Sequence, residues 1–190
     1  MVSIVIADDH TLVREGIRAL LERAPDIQVI AEAADGRQAV ELVKQLAPDV
    51  LLMDLSMPRL NGIGALQQLA AQGLPTRVIV VSVHRDEAFV TRALRYGAKG
   101  YLLKDSFKEE LFLAIQAVAR GEIFLGRHLQ DLDLDNFIAG KAELPPPNPI
   151  DSLSPRERQV LQLIVEGKTN REVSQLLGIS IRPWTSTAAI

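Results

Sequence analysis

The sequence contains no cysteine, which excludes disulfides and thiolate metal sites and fits a reducing interior. It has no uncharged apolar run near the roughly 18 residues that a membrane span requires. Its start, MVSIVIADDH, meets two aspartates too early for a signal peptide. A cytoplasmic protein without membrane contact is the expectation. A basic excess is lacking as well. Net charge is −3, with 14 basic and 15 acidic side chains over residues 1–120, 2 and 5 over 121–150, and 5 and 4 over 151–190. A domain that neutralises several phosphates normally carries a clearer surplus of Lys and Arg, so DNA binding must be argued here from pattern. No glycine-rich loop follows the first apolar run, which disfavours a dinucleotide-binding fold. No internal repeat of fixed period is visible.

What is present over residues 1–120 is an alternation of two periods. The runs SIVIAD (3–8), IQVIAEA (27–33), DVLLMDL (49–55), RVIVVS (77–82) and GYLLK (100–104) are rich in Val, Ile and Leu and have strand length. Between them apolar residues recur at three- and four-residue spacing, as in Leu12, Ile17, Leu20 and Leu21, or Leu111, Ile115 and Val118. Five strands alternating with five helices predict an α/β domain, a five-stranded parallel sheet wound on both faces. Gly97 suits the C-terminal end of the fourth helix, and Asp86 and Ser106 can cap the helices that follow them.

Residues 121–150 read as a linker with one more short helix, followed by the spacer LPPPNP (144–149), which can be neither helix nor central strand. Asp131, Asp133 and Asp135 imitate the start of a calcium loop. Asn136 and Ala142 stand where its glycine and closing glutamate belong, so a solvated acidic linker is the better reading. Over 151–190 the pattern restarts. Ser154-Pro155-Arg156-Glu157 and Thr169-Asn170-Arg171-Glu172 are capping boxes, Gly167 and Gly178 are helix ends, and Ser180 can cap a third helix. That is a helix-turn-helix outline.

In an open parallel sheet, reactive groups gather at the carboxyl ends of the strands. By that rule Asp8 and Asp9, Asp54, Ser82 and Lys104 converge on one edge. Crowded carboxylates repel, and a hard cation with oxygen ligands, Mg²⁺ above all, relieves them. Such a site suits phosphoryl transfer, with Asp54 as nucleophile and Lys104 and Ser82 on the phosphoryl oxygens. His10 and His84 flank it as polar rim residues. An aspartate-nucleophile phosphatase would need an acid-base aspartate two residues after Asp54, and Ser56 stands there.

IADDH, MDLSMPRLNG, VIVVSVH and GAKGYLLKDS resemble the signature segments of the receiver domain of two-component response regulators, in particular the NarL/FixJ subgroup. The resemblance covers residues 1 to about 120 and implies the flavodoxin-like receiver fold. It implies that Asp54 accepts a phosphoryl group from a phosphohistidine on a sensor histidine kinase, so that the chain is a phosphoacceptor and not an enzyme in the ordinary sense. It also implies that Asp8, Asp9, Asp54 and the Ser56 carbonyl organise Mg²⁺, and that Ser82 and Tyr101 form the switch. A homodimer would use the face of helix four, strand five and helix five. Met57-Pro58 and Asn61-Gly62 would shape the loop after Asp54. Val83 departs from the small residue usual after the switch hydroxyl, and its isopropyl group is expected to narrow access to the phosphoryl group.

SPRERQVLQLIVEGKTNREVSQLLGIS resembles the start of the LuxR-type helix-turn-helix domain. That implies a transcription factor whose Lys168, Thr169, Asn170 and Arg182 lie near DNA. After Ser180-Ile181-Arg182 the pattern departs. Residues 183–190, PWTSTAAI, carry no basic side chain, and the family's third and fourth helices do not follow. Residues 151–190 are therefore expected to be an incomplete helix-turn-helix segment, loosely ordered and weak in DNA binding, with a receiver-only phosphate sink as the alternative. A single-nucleotide deletion near Ile181 or Arg182 would explain the departure. Synonymous codons for RPWTSTAAI exist that read KTVDFHRRH when one nucleotide is restored, which is the family's basic pattern. Reading the gene is expected to reveal a LuxR-like helix in another frame near Ile181 or Arg182. Its absence from every frame would exclude the frameshift.

Overall fold

The five apolar runs form five strands, and the periodic stretches between them form five helices. In chain order they are β1 Val2–Ala7, α1 Thr11–Leu21, β2 Ile27–Ala33, α2 Gly36–Leu46, β3 Val50–Met53, α3 Gly62–Ala71, β4 Arg77–Ser82, α4 Glu87–Arg95, β5 Ala98–Leu103 and α5 Phe107–Ala119. The computed structural model describes residues 1–130 and 168–179, with Glu157, Val160, Leu161, Leu163 and Ile164 between them. The chain divides into two units, Met1–Pro146 and Pro147–Ile190.

All strand pairs of the first unit are parallel, in the order β2-β1-β3-β4-β5-β6. Helices cover both faces, which is why the strands read as nearly continuous apolar runs and not as alternating ones. Ile4, Ile6, Leu52, Ile79 and Leu102 point to one side, against Ile17 and Leu21 of α1 and Leu111, Ile115 and Val118 of α5. Val5, Leu51, Met53, Val80 and Tyr101 point to the other, against Val40 and Val43 of α2, Leu66 of α3 and Val90 of α4. Truncating any of these fully buried leucines to alanine removes contacts worth about 2–5 kcal/mol.

The sheet has one strand more than the sequence pattern predicts. Phe124–Leu125 form β6, which pairs with Gly100 and Tyr101 at the outer edge of β5, and a 3₁₀ turn follows at Arg127–Leu129. Two residues are too few to show a period, so composition could only assign this stretch to a linker with a short helix. The finding corrects the five-stranded expectation. It also bears on the expected dimer face of α4, β5 and α5, because the β5 edge is taken by the chain's own residues.

The caps differ in detail from expectation. Asp86 and Ser106 stand at the N-cap positions of α4 and α5, but neither side chain bonds the helix amides. The Ser106 backbone, at ψ −1°, lacks the extended form that aims a capping oxygen at those amides. Asp35 and Asn61 do cap, accepting from the Gln38 and Gly64 N–H groups at 3.0 and 2.8 Å. Gly97 lies just past α4 at φ +93°, the left-handed form expected of a residue that ends a helix.

In the second unit, Glu157, Val160, Leu161, Leu163 and Ile164 are helical, and α6 spans Asn170–Leu177. Its capping box is complete. The Thr169 hydroxyl accepts from the Glu172 N–H while the Glu172 carboxylate accepts from the Thr169 N–H, and Gly178 ends the helix at φ +61°. Val173 is buried and Leu176 exposed. Ser154, Gly167, Ser180, Arg182 and Pro183 lie outside the described residues. Among the described residues no helix is long and apolar enough to cross a membrane.

Gly62 shows how closely the loop after β3 is wound. Its N–H donates to the Leu55 carbonyl at 2.9 Å, and a Cβ at this position would run into the Asp54 carbonyl oxygen. Gly62→Ala is expected to lower stability by about 1–3 kcal/mol, the usual cost of forcing an extra carbon into a packed site. Urea unfolding monitored by circular dichroism measures it.

Candidate functional site

The carboxyl ends of four adjacent strands bring the proposed residues to one edge. Asp8 and Asp9 follow β1, Asp54 follows β3, Ser82 ends β4 and Lys104 follows β5. Two backbone bonds fix their register. Asp54 N–H donates to the Ala7 carbonyl and Lys104 N–H to the Ser82 carbonyl, both at 2.8 Å. The edge lies where the strand order turns back between β1 and β3, the position at which open α/β sheets form their crevice.

Electrostatics dominates this edge. Asp8 and Asp54 are 2% and 3% exposed, and the Lys104 ammonium donates to both, at 2.7 Å to Asp8 Oδ2 and 2.8 Å to Asp54 Oδ2. Burial acts to lower the lysine pKa, but the hydrogen bonds and negative charge of Asp54 and Asp8 outweigh it and hold the group above its ordinary value. Asp54 Oδ1 accepts from the Ser56 N–H at 3.2 Å.

Asp9 Oδ1 is buried and, among the described residues, accepts no hydrogen bond. His10 Nδ1 lies 2.8 Å from it. Asp8, Asp9, His10 and Asp54 can each place one ligand atom within 4.8 Å of the others. An orphaned buried oxygen inside a cluster of carboxylates fits a hard cation, which takes oxygen ligands and relieves like-charge repulsion. His10 belongs to this cluster geometrically, although sequence placed it only at the rim.

Ser82 is fully buried, and its Oγ accepts from the His84 N–H at 3.2 Å. The Tyr101 side chain points inward, and its hydroxyl donates to the His84 carbonyl at 2.8 Å. Burial pushes its phenol well above the ordinary range, with the Ser82 hydroxyl offsetting a part. His84 is thus a junction. Its ring stacks on Phe89 with centroids 4.1 Å apart, and Nε2 lies 3.2 Å from Ser56 Oγ. Val83, which follows Ser82, is 65% exposed.

A family model for the response regulator receiver domain matches residues 4–116, and one for bacterial regulatory proteins of the luxR family matches residues 151–182. The chain belongs to the NarL/LuxR family of response regulators. It is similar to the nitrate/nitrite response regulator protein NarL of Escherichia coli K12, with 39% identity over 178 residues, 94% of this chain and 82% of that protein. The oxygen regulatory protein NreC of Staphylococcus aureus JH9 is 38% identical over 182 residues, 94% of this chain and 84% of that protein. Among solved structures, the receiver domain of NarL from Mycobacterium tuberculosis aligns with TM-score 0.61 and 41% identity, covering 64% of this chain and 98% of that one. RcsB of Salmonella typhimurium aligns over 95% of this chain and 85% of that one, with TM-score 0.65 and 27% identity. This response regulator thus has a receiver domain and a LuxR-type DNA-binding segment, and its relatives are transcription regulators and not conventional enzymes.

Three supports of the receiver site escaped the sequence reading. Arg14 donates to the Asp8 carbonyl at 2.7 Å and pairs with Glu32 at 3.1 Å, so β2 and α1 together hold the backbone of the acidic pair. Arg59, at φ +62°, pairs with the buried Asp35 and ties the loop after Asp54 to α2. The third is the His84 junction. None has a sequence signal, because each joins residues on different elements. In the second unit Lys168, Thr169 and Asn170 are exposed at the start of α6, and the Thr169 hydroxyl is engaged in its cap. Arg182 lies outside the described residues.

Burial acts to raise the Glu32 pKa, but hydrogen bonds and charge from Arg18 and Arg14 outweigh it, leaving it below the ordinary carboxylate value. A depressed carboxylate stabilises the fold above its unfolded-state pKa and loses that contribution as pH falls through the folded one. Glu32→Gln is therefore expected to destabilise the receiver at neutral pH and to have little effect once the carboxylate is protonated in acid. Urea midpoints across that range check it.

Proposed function

We propose that this chain is a phosphorylation-controlled switch whose receiver accepts a phosphoryl group on Asp54 from the phosphohistidine of a sensor histidine kinase. The observation that carries the reading is the Lys104 ammonium spanning the buried carboxylates of Asp8 and Asp54 at 2.7 and 2.8 Å. An aspartate oxygen attacks phosphorus, the phosphorus–nitrogen bond to the kinase imidazole breaks, and the imidazole leaves with the bonding pair and takes up a proton. Lys104 then moves from the Asp54 carboxylate to a phosphoryl oxygen, and the Ser82 hydroxyl bonds another. Oxygens of Asp8, Asp9 and Asp54 with the Ser56 carbonyl would hold Mg²⁺, which neutralises charge on the phosphoryl oxygens when bound. Tyr101 reports the change, because its hydroxyl bonds the loop that begins at Ser82. The acyl phosphate is hydrolysed in place, so the chain is a phosphoacceptor that limits its own signal.

The output is transcriptional by kinship, with the exposed Lys168, Thr169 and Asn170 as the candidate phosphate contacts and a homodimer as the binding unit. A second reading, a receiver acting as a phosphate sink or interaction module, is favoured by one observation. The luxR-family match stops at Arg182, and residues 183–190 carry no basic side chain, so few groups remain there to reach phosphates or base edges.

Incubation with a small-molecule phosphodonor and Mg²⁺, followed by intact mass, is expected to show one phosphate adduct that is absent from Asp54→Asn. An adduct that persists in the variant, or none in the parent chain, overturns the assignment. A gel shift on the phosphorylated protein separates the two outputs, since specific retardation is expected only of a working DNA reader.

A further inference from the structure

The sixth strand contributes nothing to the acidic edge, yet the residues around it are tied down at several points. Gly126 N–H donates to the Tyr101 carbonyl at 2.9 Å, continuing the pairing of Phe124 and Leu125 with Gly100 and Tyr101. Arg127 N–H is shared between the two oxygens of Glu110, each at 3.3 Å. Leu129 is 1% exposed and packs in the same core cluster as Tyr101, while Phe124 packs against the opposite one. The short segment is thus pinned on both faces of the sheet.

Glu110 is the unexpected member. It lies in α5, 2% exposed, where an apolar residue would ordinarily stand. A carboxylate taken out of water is costly unless it accepts hydrogen bonds. Among the described residues, the hydrogen bonds it accepts come from Arg127 N–H. The Arg127 guanidinium adds an ion pair at 3.9 Å, and Gly126 lies so close that a Cβ there would stand 2.7 Å from Glu110 Oε2. Removing the segment would leave this charge without its partners.

A short chain of bonds joins this latch to the site. Tyr101 bonds Gly126 through its carbonyl and the His84 carbonyl through its hydroxyl, and His84 N–H bonds Ser82 Oγ. We propose that residues 124–130 form a strap over the edge of β5, latched by buried Glu110, which couples the position of Tyr101 to the segment by which the chain leaves the receiver. While closed, the strap occupies the β5 edge that a second copy would need for a dimer built on α4, β5 and α5. A change in Tyr101 loosens it, so the switch and the exit segment respond together. The coupling is conformational and can be read without a phosphodonor, so it stands or falls apart from the phosphorylation reading.

Hydrogen exchange by mass spectrometry on the full chain tests it. In the parent protein the Gly126 and Arg127 amides are expected to be protected. Arg127→Pro deletes the donor to Glu110 at the first residue of the 3₁₀ turn, where proline is tolerated, and Gly126, at φ −56° and ψ 151°, is compatible with a following proline. This variant and Glu110→Ala are expected to speed exchange at Gly126 by about tenfold, with β1 to β4 unchanged. Should Glu110→Ala loosen the whole sheet, Arg127→Pro alone decides. Tyr101→Phe, which removes the hydroxyl that bonds the His84 carbonyl and meets the Ser82 hydroxyl, is expected to speed Gly126 as well. Unprotected amides in the parent or no effect of Arg127→Pro overturns the latch, and a Gly126 amide unmoved by Tyr101→Phe overturns the coupling.

Discussion

Two carboxylates buried within reach of one ammonium set the terms for this receiver. Asp8 and Asp54 come from strands that are neighbours in the sheet but 46 residues apart in sequence, and Lys104 reaches both from a third strand end. Buried charges are tolerated only when paired and hydrogen-bonded, and removing one partner of such a set costs about 3–5 kcal/mol. The parallel sheet supplies the geometry, because it brings every strand's carboxyl end to the same edge. The surrounding loops then hold those ends still. Arg14 fixes the Asp8 carbonyl, Arg59 and Asp35 fix the loop after Asp54, and Gly62 lets that loop pass close to the Asp54 backbone.

The same arrangement is poised for change. Lys104 bonds Asp54, and under the proposed phosphorylation a phosphoryl group there would offer it a more highly charged partner. Ser82 bonds His84, whose carbonyl holds Tyr101. On the proposed mechanism, the Lys104 and Ser82 contacts would be exchanged for ones to a new oxyanion without unfolding the sheet. By the same mechanism, charge at one edge would become movement in the loop after β4 and, through Tyr101, at the strand that closes the far side of β5. Bistable contacts, and not gradual deformation, are how packed interiors carry such a signal.

The LuxR-type segment depends on local contacts. Its α6 is well capped, with Thr169 and Glu172 satisfying each other's backbone and Gly178 ending the helix. Capping holds a helix but does not read DNA, which requires cationic and amide side chains in a groove. The five basic residues of 151–190 all precede Pro183.

Much of this was legible in the residues alone. Strand length and apolar density marked β1 to β5, and the rule that strand ends carry chemistry gathered Asp8, Asp9, Asp54, Ser82 and Lys104 before any geometry was known. Those signals survive in sequence because each is local, a period or a residue at the end of one. Tertiary structure decided the rest. The two-residue β6, the buried Glu110, the grip of Arg14 and Arg59 and the His84 junction all depend on which distant backbones come to lie within about 3 Å of one another, the range of a hydrogen bond. Local periodicity carries no record of that. The sequence determined what chemistry could assemble at the sheet edge, and long-range packing determined which groups hold it in place and where its movement can go.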